Sequence, residues 1–558
     1  MKNKLRQILD TTLRACVEQG LLKEAPPPDY VVEVPKNSNH GHFATNLPMA
    51  LSPVERKNPR EIAAIIVEQL RQVENAFEAI DIAGPGFINF TLKHDQWHQV
   101  LREVVAQGRD YGRNDLGQRS KVMVEFVSAN PTGPLHLGHG RGAALGDTLS
   151  RILSFSGYQV SSEFYINDAG EQIRMLGESI YSRWRQMDDP EYPFPDSGYR
   201  GDYVAELARS VVEKVDLSKM DRDEAVSACA RVGEEMMLHE IKRDLELFRV
   251  PFDTWFSEKR LYREGMIEET FKELEKGGYL YTEEGALWIK TSSFGDDKDR
   301  VLKKRDGQLT YFASDVSYHL DKKRRGFSWV INLWGADHHG YIPRMKAALE
   351  ANGISREWLS VMLIQLVKLW KGGREMTMSK RAGSYVTLRE LIDEVGVDAA
   401  RFVFLTKHHD SPLDFDIDRV KKQDSENPVY YVQYAHARTC SIFRKAEEQG
   451  LHVPRNPDGL LALLTLEEEI SLVRMMAEFP GLLADICKSL EPHRLTYFLT
   501  DFAAVFHRYF NLGTKIPEHR IVSERTDLSL ARLFLAKGVR QIIATGLDLM
   551  GIDAPEKM

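Results

Sequence analysis

Two histidines three positions apart, His136 and His139, close the run Asn130-Pro-Thr-Gly-Pro-Leu-His-Leu-Gly-His139, and Gly133, Gly138, Gly140 and Gly142 lie in or beside it. On the first turn of a helix that spacing puts both imidazoles on one side. There they can donate hydrogen bonds to a polyphosphate or to a developing pentacoordinate phosphorus. Glycines let backbone approach such a ligand, and a helix N-terminus adds free N–H groups and the positive end of a dipole. About 240 residues later the polar stretch Arg374-Glu-Met-Thr-Met-Ser-Lys-Arg-Ala-Gly383 follows Gly372-Gly373 and carries Lys380. A loop with one committed lysine suits phosphoryl transfer from ATP, because charge builds on the pyrophosphate only in the transition state. A third run, Trp334-Gly-Ala-Asp-His-His-Gly340, places Asp337 just after an apolar segment, where a carboxylate suits ribose hydroxyls. Taken singly, each also reads as an ordinary feature: a glycine turn, a solvated basic loop, a His-rich turn.

The elements around these residues form a pattern. Lys121–Val127 is strand-like and runs into the Asn130-Pro-Thr-Gly133 turn, after which helical periodicity holds from about Leu137 through Leu153. Apolar runs at Val160–Ile166, Trp329–Leu333 and Val361–Leu366 alternate with helical segments, as βαβ units in a parallel sheet do. From Tyr203 to Phe248 the chain is charged and helix-periodic, which predicts a helical insertion between halves of that sheet. Upstream, Leu5, Ile8, Leu9, Leu13 and Cys16 predict a helix, and Tyr30–Val34 and Phe87–Phe90 predict short strands. Gln107–Gln118 is polar and glycine-rich, as a linker would be. From about Asp398 onward the pattern is helical nearly to the end.

Composition sets outer limits. At 558 residues, 43% apolar and 28% charged, the chain is a modular globular protein rather than a disordered or fibrous one. No apolar run approaches the ~20 residues that span a bilayer, and the N-terminal stretch lacks a signal-peptide core, so a cytoplasmic protein without membrane attachment is expected. Cys16, Cys229, Cys440 and Cys487 lie far apart, so neither disulfides nor a metal site is expected. A net charge of −8 argues against nonspecific coating of nucleic acid but leaves room for local basic surfaces such as Lys303-Lys304-Arg305 and Lys322-Lys323-Arg324-Arg325.

Together, and in this order, the first two elements resemble the paired signatures of class I aminoacyl-tRNA synthetases. His136-Leu-Gly-His139 looks like the HIGH motif and Met378-Ser-Lys-Arg381 like KMSKS. The match departs at Thr377 and Arg381, which replace the first lysine and last serine, so Lys380 carries more of the role; Lys371 or Arg374 stand near enough to supply the missing charge. The resemblance implies an α/β multidomain chain. Residues 1–115 would be a small N-terminal α/β domain, 116–397 a Rossmann-type parallel-sheet catalytic domain with a helical insertion at about 200–250, and 398–558 an all-α bundle. It implies ATP, with magnesium, as cosubstrate. Catalysis would fall to His136, His139 and Lys380, and ATP binding to Gly138, Gly140, Gly335, Asp337, His338, Met378 and Ser379.

Three further segments, Val124-Glu-Phe-Val-Ser-Ala-Asn130, Phe252-Asp-Thr-Trp-Phe-Ser-Glu258 and Tyr311-Phe-Ala-Ser-Asp315, resemble the arginyl enzymes in particular. Arginine demands a buried carboxylate, because its guanidinium stays protonated and its planar fork is matched by bidentate acceptors. The resemblance assigns Glu258 and Asp315, with the Tyr311 hydroxyl, to the guanidinium. It assigns Ser128, Ala129, Asn130 and His139 to the α-amino and α-carboxylate end. Some relatives have glutamine where this chain has Ala336. The segment Asn427–Arg438 resembles the start of a helical anticodon-binding domain, with Tyr430, Tyr434 and Arg438 as candidate tRNA contacts, although an aromatic stripe on a helix also reads as core. His40–Asn46 and Gly84–Asn89 resemble the additional domain that meets the tRNA elbow, with Asn46 as its candidate contact. The partners implied are tRNA(Arg), L-arginine and ATP, and a monomer is expected. A cysteinyl or glutamyl enzyme, a noncatalytic tRNA-binding relative and a small-molecule nucleotidyltransferase are the competing readings.

Overall fold

The computed structural model describes residues 1–558 apart from 24–28, 36, 38–39, 74 and 377–385. Thr377, Met378, Ser379, Lys380 and Arg381 therefore lie outside the described residues.

The N-terminal module opens with α1 (Lys2–Glu18), whose Leu5, Leu9, Leu13 and Cys16 form one buried stripe. With α2 (Leu47–Glu55) and α3 (Pro59–Val73) it packs beside an antiparallel sheet of β1 (Val32–Glu33), β2 (Phe43–Thr45), β3 (Phe77–Ala83) and β4 (Phe87–Leu92), in the order β1-β2-β4-β3. The strand expected over Tyr30–Val34 shortens to two residues. Next, α4 (His94–Gln107) packs on the C-terminal helices. The glycine-rich stretch after it is no free linker: the buried Tyr111 hydroxyl donates to the Met476 carbonyl at 3.0 Å.

The central domain is built on five parallel strands: β5 (Lys121–Glu125), β6 (Gln159–Ile166), β7 (Thr254–Ser257), and, much later in the chain, two more that follow the intervening elements. After β5 comes α5 (Leu137–Phe155), buried nearly all round. After β6 come α6 (Glu171–Arg185), α7 (Asp202–Lys214) and α8 (Arg222–Leu247), which share a core of their own around Leu176, Ile180, Val204, Leu207, Val211, Cys229 and Val232. This is the expected insertion, begun earlier by α6. Beyond β7 lie α9 (Lys259–Arg263), α10 (Met266–Lys276) and a small antiparallel sheet of β8 (Leu280–Glu283), β9 (Ala286–Ile289) and β10 (Arg300–Lys303). Then α11 (Tyr311–Arg324) leads to β11 (Trp329–Gly335), and α12 (Ile342–Ala351) to β12 (Leu359–Ile364). The strand order is β12-β11-β5-β6-β7. The chain runs outward from β5 in both directions, so the crevice between the C-terminal ends of β5 and β11 is the switch point where open parallel sheets bind ligands.

A fourth sheet pairs β13 (Val367–Lys371) antiparallel with β14 (Arg374–Met376) and parallel with β15 (Leu413–Asp416); α13 (Leu388–Val395) and α14 (Val397–Phe404) precede β15, and α15 (Ile417–Val420) follows it. The strand β15 corrects the expectation of continuous helix after Asp398. Its period-two signal, Leu413 and Phe415 inward against Asp414 and Asp416 outward, is only four residues long and is easily lost between helices. The bundle α16 (Pro428–Glu448), α17 (Glu467–Ser489), α18 (His493–Lys515) and α19 (Thr526–Leu549) completes the chain. Arg401 of α14, fully buried, joins this bundle to the sheet domain: it pairs with Asp147 on α5 and donates to the carbonyls of Met550 and Phe248. No helix among the described residues is long and apolar enough to cross a membrane.

Candidate active site

The turn after β5 is strained in a way the sequence does not announce. Val127 has φ +70° and Ser128 φ +40°, a left-handed conformation that costs a β-branched residue of order 1–3 kcal/mol. The surroundings hold it. The Ser128 hydroxyl donates to Glu125 Oε1 at 2.9 Å and accepts from the Tyr165 N–H at 3.2 Å. Glu125 is buried and pairs with Lys322 of α11, whose ammonium also donates to Asn332 Oδ1 at 3.0 Å. His319 continues the chain from Asn332 to the Asp315 carbonyl, and burial, reinforced by Lys322, pushes its pKa down to about 3, so it bridges as a neutral ring. A buried carboxylate and ammonium are tolerable only when paired and hydrogen-bonded. Here the network ties β5 and β11 to α11; His319 and Asn332 were not singled out from the sequence, and Lys322, expected on a basic surface, is instead fully buried against Glu125.

His136 is the N-cap of α5. Its Nδ1 accepts from the Gly138 N–H at 3.1 Å, while His139 Nδ1 accepts from the His136 N–H at 3.2 Å. The rings stack with centroids 3.8 Å apart. Because both Nδ1 atoms accept, both protons sit on Nε2, the tautomer that donates outward. Gly138 is the residue whose N–H the capping ring takes up. Gly140 has a different reason to be glycine: a Cβ there would come within 2.7 Å of Leu388 and 3.1 Å of Phe404. This packing requirement is separate from any approach of a ligand to the backbone, and only the tertiary fold brings α13 and α14 against α5. Gly335, Asp337 and His338 are exposed at the end of β11, across the crevice from the two histidines.

Two cavities open beside this crevice. One, of about 910 Å³, is lined by Ser128, Ala129, Asn130 and His139 from the turn and by Tyr199 and Tyr203 from the insertion. The Tyr203 hydroxyl donates to the Thr132 carbonyl at 2.8 Å, so the insertion roofs the turn. The other, of about 1210 Å³, is lined by Asp168, Glu258, Tyr262 and Tyr311. Glu258 is 3% exposed, and its Oε2 has no hydrogen-bond partner among the described residues. Burial, then the nearby carboxylates of Asp315 and Asp168, push its pKa up to about 7. Burial also raises Asp315, to about 6, against the opposing hydrogen bond donated by the Tyr341 hydroxyl. Glu258 and Asp315 are thus neighbouring acids with raised pKa values, an arrangement whose charged form a bound cation would favour.

The expected residues do gather: Ser128, Ala129, Asn130 and His139 in one cavity, Glu258 and Tyr311 in the next, with Asp315 close enough to Glu258 to raise its pKa. Tyr262, which touches Ser314 at 2.8 Å and Glu258 at 3.5 Å, escaped notice although it stands four residues after Glu258 on one helical face. Tyr341 and Asp168 needed long-range contacts to be found. Lys371 is held by Glu394 at 2.8 Å, whereas Arg374 is exposed. In the bundle, Arg438 lies between the Tyr434 and Phe510 rings, 4.5 and 4.3 Å from their centroids, and Tyr430 stacks on Tyr434. Tyr434 is 36% exposed, so the stripe faces solvent as well as core. Asn46 uses its Oδ1 to accept from the Val31 N–H at 2.7 Å. Among the described residues no group of three or more His, Cys, Asp and Glu side chains is arranged to hold a metal ion.

A parallel sheet with histidines at its switch point, a helical insertion over the crevice and a C-terminal helical bundle are the parts of a class I aminoacyl-tRNA synthetase. Family models match along the chain: "tRNA synthetases class I (R), catalytic domain" over residues 100–440, "Arginyl tRNA synthetase N terminal domain" over 3–92 and "DALR anticodon binding domain" over 432–558. Curated arginine–tRNA ligases of Desulfosudis oleivorans and Syntrophotalea carbinolica are each 47% identical to it, with 100% of both chains covered. The Thermus thermophilus arginyl-tRNA synthetase structure shares the fold at 22% identity and a TM-score of 0.77, again with 100% of both chains covered. The chain belongs to the arginyl-tRNA synthetase family, and it is an enzyme that joins arginine to tRNA.

Proposed function

We propose that the two cavities hold two ends of one amino acid. The guanidinium of L-arginine enters the larger cavity against Glu258 and Asp315, with Tyr311 at its mouth; Ser128, Ala129, Asn130 and His139 hold the α-amino and α-carboxylate end. The observation that carries this reading is the Glu258–Asp315 pair. Glu258 Oε2 is buried with no hydrogen-bond partner among the described residues, and the guanidinium is the planar cation that can bridge it and the neighbouring Asp315.

ATP lies across the switch point, its adenosine toward Gly335, Asp337 and His338 and its phosphates toward Gly138, Gly140, Met378 and Ser379. An arginine carboxylate oxygen attacks the α-phosphorus and pyrophosphate leaves, giving arginyl-adenylate. The terminal ribose hydroxyl of tRNA(Arg) then attacks the carbonyl carbon, and AMP leaves. His136, His139 and Lys380 stabilise the charge that develops, and no protein nucleophile is needed. Imidazole and backbone N–H donors suit phosphate oxygens rather than a hard divalent ion, so magnesium would be held chiefly by ATP itself and would offset the phosphates' charge. The cavity roofed by Tyr199 and Tyr203 borders the arginine carboxylate and takes the terminal nucleotide. Asn46, Tyr430, Tyr434 and Arg438 contact the body and anticodon of the tRNA. The enzyme works as a cytoplasmic monomer.

Aminoacylation of total tRNA with each amino acid in turn tests the reading: arginine alone is charged. Asp315→Asn keeps the shape and removes the charge, so an unchanged arginine affinity in that variant overturns the assignment.

A further inference from the structure

Arg141, in the second turn of α5, is fully buried yet forms no ion pair among the described residues. Its guanidinium donates only to two carbonyls, Gln365 at 2.9 Å and His408 at 2.8 Å, and its Nε has no partner among the described residues. Burial lowers its pKa to about 10, and Asp410, the acid that acts on it, is itself engaged by His408. A buried cation without a carboxylate is costly, and an apolar side chain of similar length would pack there at lower cost. Stability alone does not explain the residue.

What it holds together is specific. Gln365 sits at the corner between β12 and β13, and His408 lies in the loop leading to β15. These segments are also tied to each other, by the Gln365 N–H on the His409 carbonyl at 2.9 Å and the Leu413 N–H on the Leu366 carbonyl at 3.1 Å. Both feed the sheet β14-β13-β15, whose edge strand β14 ends at Met376, directly before the segment that contains Lys380. Downstream of that segment, Thr387 bridges to His136 and the Leu388 N–H donates to the Leu135 carbonyl at 2.7 Å. The chain is thus anchored to the start of α5 on both sides of residues 377–385. Arg141 supplies the upstream anchor.

We infer that Arg141 is a positioning residue for adenylate formation: by clamping the Gln365 and His408 carbonyls to α5, it sets the separation between the His136–His139 pair and the sheet from which the Lys380 segment departs. This rests on the proposed role of Lys380. A displacement of about 1 Å in such a frame is worth up to roughly 100-fold in rate.

A double-mutant cycle on the full-length enzyme tests it, read by arginine-dependent ATP–pyrophosphate exchange with tRNA present. Arg141→Met lowers kcat by 10- to 100-fold, leaves the arginine KM within twofold and keeps the wild-type circular dichroism. Arg141→Lys, which still reaches one carbonyl, recovers part of the loss. In a Lys380→Ala background the Arg141→Met cost shrinks to under threefold, because the two act through one frame. Full multiplicativity of the two substitutions overturns the inference, as does a loss carried by the arginine KM. Should Arg141→Met not fold, the cycle is run with Arg141→Lys, with the same two outcomes deciding. Full activity in Lys380→Ala alone overturns the underlying reading instead, and the inference with it.

Discussion

Replacing Glu258 by glutamine removes one charge from the Glu258–Asp315 pair while keeping one carbonyl oxygen as an acceptor. Hydrogen bonds to charged groups are worth roughly 1.5–3 kcal/mol each, and the glutamine retains a weaker version of one, so arginine binding should lose about 2–3 kcal/mol. That is roughly a 30- to 150-fold rise in the arginine KM at 1.4 kcal/mol per tenfold. The ATP KM should move less than twofold, since Gly335 and Asp337 stand at the other side of the crevice. The same substitution should act oppositely on the free protein. Glu258 is raised to about 7 from an unfolded carboxylate value of 4.5, so the folded state holds a proton that the unfolded state has released between those pH values. Stability from this group is therefore full at low pH and is lost as pH rises through 7. At pH 8 Glu258→Gln should stabilise the arginine-free protein by the order of 2 kcal/mol, and at pH 5 by much less. Steady-state exchange kinetics and denaturant titrations at the two pH values measure both effects. An arginine KM raised less than threefold, together with no stabilisation at pH 8, would refute the claim that this acid is kept for a cationic substrate.

Three shorter expectations follow from other parts of the molecule. Since Glu258 and Asp315 titrate near 7 and 6, the wild-type arginine KM should rise as pH falls from 8 to 5.5, while the fully charged pair above pH 8 gives a flat profile; a KM flat over the whole range would contradict the raised values. Arg438→Ala removes the cation between Tyr434 and Phe510 and should raise the tRNA KM by about 5- to 30-fold with the arginine KM unchanged, as filter binding and aminoacylation kinetics would show. At Gly146 a Cβ would stand 2.2 Å from Phe126 Cγ, so Gly146→Ala should force α5 off β5 and cost about 1–3 kcal/mol in a denaturant melt; a melt like the wild type's would show the contact to be soft.

Much of the frame was legible beforehand because it repeats over many residues. The runs Val160–Ile166 and Trp329–Leu333 appear as strands of the parallel sheet, and the periodicity from Tyr203 to Phe248 appears as α7 and α8. Short or one-off features were harder. β15 has four residues, and β1 keeps only two of five expected, since neither carries enough period-two signal to outweigh its neighbours. The polar glycine run after α4 reads as a linker, but the single buried Tyr111 makes it part of the core.

By itself the sequence determined which chemical groups are present and in what local register: a histidine pair at helix spacing, a parallel-sheet pattern behind it, and acids at Glu258 and Asp315. Local spacing suffices there because helix and strand periods are set by the backbone alone. Tertiary structure alone decided which acids are paired and which await a cation. Glu125 and Glu258 are both buried glutamates, yet Lys322, 197 positions away in the chain, neutralises the first, and no side chain among the described residues hydrogen-bonds to Oε2 of the second. Desolvation and charge depend on neighbours in space, and those are assigned only when the sheet and α11 close on each other.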